Sequence, residues 1–141
     1  MPIGPRLAAL SLALAVTAAA HAAPAAYLTL DHSSNGMVEP KAVAELWKNS
    51  LPAKLTKLYP VSKWGFSTQV EGGFDEGKVC VITARAMLLP RRGKTLVLEP
   101  AKTVTTYGAK PGATQQECKA LADAKLKVAH YRALADIARV L

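Results

Sequence analysis

"GKVCVITARAMLLPRRGKTLVLEP", residues 77–100, sets two strand-like apolar runs around a cationic turn. Residues 78–89, KVCVITARAMLL, are rich in β-branched side chains and apolar on both faces, as expected of a central strand. PRRGK (90–94) is a turn: Pro90 and Gly93 supply its geometry, and Arg91, Arg92 and Lys94 its charge. TLVLEPAKTVTTY (95–107) is the next strand. Pro100 has no N–H to give a ladder, so this strand belongs at an edge, bent or bulged at that point.

Upstream, KWGFSTQVEGGF (63–74) alternates with period two. Trp64, Phe66, Thr68 and Val70 share one face, and that face is expected to be buried with Trp64 and Phe66 at its heart. GFDEG (73–77) is a glycine-bounded turn into the central strand. Gaps this short join antiparallel neighbours, whereas parallel strands need long crossovers. Strands over 63–74, 78–89 and 95–107 therefore form a three-stranded antiparallel meander.

Working outward, AYLTLDH (26–32) reads as a short strand and SSNG (33–36) as a turn. Residues 40–59 read as a helical pair. Val43, Leu46 and Trp47 recur at helical spacing behind Pro40, Pro52 breaks the pattern, and Leu55, Leu58 and Tyr59 continue it until Pro60. After the meander, GAKPGA (108–113) reads as a loop and TQQE (114–117) as a capping box opening a helix over 115–140. Its seam is Cys118, Ala122, Leu126, Ala129, Ala133, Ile137 and Val140. The fold class is α+β: a meander, an N-terminal strand with a helical pair, and a long C-terminal helix packed on one face.

Two periodicities place the two cysteines in one layer. Cys80 shares its strand face with Ile82, Ala84, Ala86 and Leu88, and Cys118 stands in the first turn of the helix seam. A disulfide between them would contribute about 3–4 kcal/mol by loop-closure entropy. The pair is not spaced as a redox C-x-x-C motif, and two cysteines without a histidine cluster are too few for zinc.

The N-terminus explains why a disulfide is expected. Met1–Arg6 carries one positive charge, Leu7–Ala20 is apolar, and Ala20-His21-Ala22 fits a signal-peptidase site, with Ala23-Pro24-Ala25 as the alternative. The apolar run is shorter than the roughly 20 residues that cross a bilayer. Residues 1–22 thus read as a signal peptide and 23–141 as a single small domain, free of a transmembrane segment, in the periplasm or outside the cell, where disulfides persist.

The full chain holds 18 Lys and Arg against 10 Asp and Glu, a net charge of +8. Such a surface is drawn to acidic proteins or to anionic cell-wall and membrane components. The compartment argues against nucleic acid, although the element order α-β-β-β-α also occurs in double-stranded-RNA-binding domains.

No catalytic constellation emerges. His32 follows Asp31 on a strand, where neighbours point to opposite faces. His130 lies at the edge of the helix seam, a packing position. Ser33 and Ser34 suit a turn, as do Glu71, Asp75 and Glu76 around the 73–77 turn, whose spacing fits no EF-hand. No nucleophile elbow, zinc-helix or phosphate-cradling motif is present, so neither an enzyme nor a bound cofactor or metal is expected. In size, export and element order the chain resembles bacterial exported immunity proteins and lysozyme-type inhibitors, which block a toxin or cell-wall hydrolase through a loop. The resemblance is one of organisation and implies a non-catalytic binding protein. The residues expected to meet an acidic partner are Arg91, Arg92 and Lys94. The alternative expectation is an accessory module on an anionic envelope surface.

Overall fold

The computed structural model describes residues 26–34 and 36–139. The leader expected over 1–22 lies outside them, as do Asn35 of the SSNG turn and Val140 of the helix seam. The elements run β1 (Leu28–Asp31), α1 (Pro40–Asn49), α2 (Leu55–Leu58), β2 (Trp64–Phe74), β3 (Val79–Arg92), β4 (Thr95–Leu96), β5 (Lys102–Pro111) and α3 (Gln115–Ala138). This is the expected α+β order.

β3 is the central strand. It pairs antiparallel with β2 from Trp64↔Pro90 to Phe74↔Cys80, and with β5 from Leu88↔Lys102 to Val79↔Pro111. β1 adds to the far side of β2 in parallel, Leu28↔Gly65 to Asp31↔Thr68, which makes the sheet mixed. Gly65 permits this crowding: a Cβ there would stand 2.5 Å from both the Leu28 carbonyl oxygen and a Leu96 methyl.

Three expected boundaries move. The strand expected over 95–107 is divided. The Val97 N–H donates to the Pro90 carbonyl and the Ala101 N–H to that of Leu88, so residues 98–100 leave the ladder and Leu98 is exposed. The distortion anticipated at Pro100 is therefore a break. Pairing resumes at Lys102 and runs on through Pro111, so most of the loop expected over 108–113 is strand, and the chain turns at Gly112 (φ +65°). In the same way, β4 supplies partners for Arg91 and Arg92. The turn expected over 90–94 contracts to Gly93, with φ +62°, and Lys94.

α3 crosses the inner face of the sheet. Its seam residues Cys118, Ala122, Leu126, Ala129, Ala133 and Ile137 are buried against Cys80, Ile82, Ala84, Ala86 and Leu88 of β3. Alanines on both surfaces let the backbones approach, close enough for the Thr106 hydroxyl to donate to the Lys125 carbonyl at 2.8 Å. The helix opens on the expected capping box: Thr114 Oγ1 accepts from the Glu117 N–H, and the Glu117 carboxylate accepts from that of Thr114. Cys80 and Cys118 form the disulfide, with Cα atoms 5.6 Å apart.

α1 covers the other half of the inner face through Trp47. This side chain stacks on Phe66 with ring centroids 4.4 Å apart, and its Nε1–H donates to Thr68 Oγ1 at 2.9 Å. His130 of α3 meets it edge-on at 4.3 Å. The expectation that Trp64 is buried beside Phe66 is corrected: Trp64 is half-buried and edge-on to Tyr59. It opens β2 next to the four-residue α2, which is too short to cover an indole.

His130 occupies the packing position foreseen for it, 3% exposed, and its Nε2 has no partner among the described residues. Burial lowers its pKa from 6.5 to about 4. Because the unfolded chain binds this proton more readily, stability is full above pH 6.5 and falls as the pH drops from there towards 4. The loss is on the order of 3 kcal/mol. Urea unfolding at pH 7.5 and pH 4.5 should show the decline, and His130→Leu should flatten the profile across that window. Glu117, held at about 2 by its hydrogen bonds to Lys110 and Thr114, acts in a separate window, losing its contribution as the pH falls below 4.5.

Candidate functional site

The residues singled out for binding gather at one end of the sheet, where β2 begins and β3 ends. Arg91 is the inner member. Its Nε–H donates to the Gly93 carbonyl at 2.7 Å and its Nη1–H to the Val61 carbonyl at 2.9 Å, while its backbone N–H donates to the Lys63 carbonyl at 2.7 Å. The guanidinium thus fastens the β3–β4 hairpin to the segment entering β2. Arg92 and Lys94 stand outside it, exposed, and Thr95 Oγ1 closes the turn by donating to the Arg92 carbonyl at 3.0 Å.

Further cations come to this end from elsewhere in the chain. Lys63 is tied to Arg91 by the backbone bond. Lys54 precedes α2 and Lys57 lies within it, and the helix leads to the same end through the contact between Tyr59 and Trp64. None of these side chains is in an ion pair among the described residues, where the three bridges are Lys110–Glu117, Lys127–Asp123 and Arg139–Asp136. The sequence carries a signal for this grouping: residues 46–70 and 77–98 contain no Asp or Glu. Spacing alone marks Lys54 and Lys57 only as charges on the wet side of a helical pair, because it does not place α2 relative to the hairpin.

The opposite end of the molecule is balanced. Asp75 and Glu76 form the β2–β3 turn, where Asp75 Oδ1 accepts from the Val79 N–H at 2.8 Å and Lys78 takes a positive φ of 58°. Glu117 pairs there with Lys110 at 2.8 Å, beside the disulfide. The end that carries the Cys80–Cys118 crosslink thus mixes both signs of charge.

The remaining chemical candidates are dispersed. His32 is exposed at the end of β1 and His130 is deep in the core. Ser33 is engaged by the backbone, its Oγ accepting from the Val70 N–H at 2.9 Å. On the open face, Arg85 donates to Gln69, which donates to Glu71, forming a cross-strand polar ladder. Among the described residues, no three His, Cys, Asp or Glu side chains converge as a metal site, and no helix is long and apolar enough to cross a membrane. No family model, curated protein or solved structure matches the chain.

Proposed function

We propose that this protein is exported and non-catalytic, and that it binds and blocks another protein, in the manner of an inhibitor or immunity protein, by presenting its cationic end to an acidic surface. The observation that carries this reading is the set of cations Lys54, Lys57, Lys63, Arg92 and Lys94, unpaired among the described residues, around a hairpin held by Arg91. Arginine suits the role because its planar fork bonds carboxylates bidentately. Local rigidity lowers the ordering cost of association. The disulfide and the leader-like N-terminus support a periplasmic or secreted location.

The test leaves Arg91 in place, since its substitution would disturb the hairpin itself. Arg92→Glu with Lys94→Glu should keep the circular dichroism spectrum and melting temperature of the parent. Its affinity for the protein recovered by crosslinking to the parent should fall by about tenfold or more in low salt. The fall should lie largely in association rate and shrink as salt is raised. Unchanged affinity of the folded double variant would refute the reading. Sedimentation of the parent with anionic vesicles or cell-wall sacculi, abolished by the same pair, would favour the envelope-accessory alternative.

A further inference from the structure

β1 is an edge strand with an unusual neighbour. The parallel register with β2 directs the backbone groups of residues 28, 30 and 32 towards β2, as the bond from the His32 N–H to the Thr68 carbonyl at 2.8 Å confirms. The N–H and C=O groups of Tyr27, Thr29 and Asp31 therefore face the other way. Neither Thr29 nor Asp31 has a backbone partner on that side among the described residues. Beside this edge runs α1, and between them lies a groove of about 450 Å³ lined by Tyr27, Thr29, Ala44, Trp47, Lys48 and Leu51. The groove has an apolar floor, a strand edge unpaired among the described residues as one wall and a helix as the other.

We infer that this groove is a second binding site, which takes an extended acidic segment of a partner protein as an added strand against β1. The backbone bonds come from Thr29 and its neighbours, and every second side chain of the guest points into the groove, the geometry of β-strand addition. Charge selects the guest. Lys41, Ala44 and Lys48 lie on one stripe of α1 at spacings of three and four, and Lys48 lines the groove itself. Glu45 is on the neighbouring stripe, where its carboxylate accepts from Asn49 at 3.1 Å. Asp31, at the end of the edge, is turned to the Ser33 N–H at 3.0 Å. A guest with an apolar residue for the floor and carboxylates for Lys41 and Lys48 satisfies every group present. A second copy of this chain fits less well, because two molecules of net charge +8 repel one another. The chain's own residues 1–25 contain no Asp or Glu to meet the lysines. The inference uses neither the cationic end nor its partner and stands or falls separately from them.

A random-heptapeptide phage library, selected on the parent protein and counter-selected on Ala44→Arg, tests the site. Ala44 is exposed, so the larger side chain blocks the groove without entering the core. The expected result is a set of parent-specific peptides with alternating apolar positions and at least one Asp or Glu. As synthetic peptides with blocked termini, they should bind Lys48→Glu at least about tenfold more weakly. They should also slow hydrogen exchange at the Thr29 and Asp31 amides by about tenfold or more. Failure to recover parent-specific peptides would overturn the inference. So would recovered peptides that leave Thr29 and Asp31 exchanging at their free rates, or that bind only while Arg92 and Lys94 are intact.

Discussion

Trp47→Ala is expected to cost about 3–5 kcal/mol, towards the upper end of the range for large-to-small core substitutions. Three independent contacts meet on this one side chain: the stacked Phe66 ring, the edge-on His130 ring and the hydrogen bond to Thr68. Both Phe66 and Thr68 are fully buried, so the contacts they lose on that side are core contacts. Trp47→Phe separates the terms. It keeps the stack but deprives Thr68 Oγ1 of its donor, for a loss of roughly 1–3 kcal/mol. Guanidinium midpoints of the two variants at pH 7.5, where His130 is neutral, give the comparison. A loss below about 1 kcal/mol for Trp47→Ala would show that α1 contributes little to the core.

Replacing both cysteines by alanine is expected to cost about 4 kcal/mol, because Cys80 and Cys118 close a separation of 38 residues. The crosslink fixes the start of α3 to the start of β3, and the rest of the helix seam follows from that registration. The oxidised parent should contain no titratable thiol, and reduction should lower its denaturation midpoint as far as the double substitution does. Two free thiols in the native oxidised protein would remove the basis of this expectation. The cationic end, at the other extreme of the sheet, should keep its local structure in the reduced protein, which exchange at the Arg91 amide can report.

The parts of the fold that periodicity governs were legible in the sequence. The central strand, the α3 seam, its capping box and the disulfide all follow from spacing, and two periodicities that agree leave little freedom. What spacing does not encode is which layer covers a given side chain. Trp64 and Trp47 both sit on apolar stripes, yet Trp47 is buried between Phe66 and His130 while Trp64 meets only the edge of Tyr59 and stays half-buried. Pro100 announced a disturbance but not its extent, because strand pairing resumes wherever the partner's register allows. Of the candidate site, Arg92 and Lys94 were readable as exposed charges on a turn. The inward commitment of Arg91 to Val61 was not, since that bond joins residues 30 apart in sequence. The edge of β1 escaped notice for a related reason: a strand's free side is defined by its partner, and parallel partners are remote in sequence.

The parallel pairing of β1 with β2 also bears on the order in which the molecule can assemble. A chain that emerges from its N-terminus presents Leu28–Asp31 first, yet nothing can hold that strand until Gly65–Thr68 have appeared. Trp47 likewise waits for His130, Ala133 and Ile137, near the end of the described chain. Contacts of such long separation slow the search for the native state. Folding of this domain is therefore a late event, completed only when α3 is available to close the core.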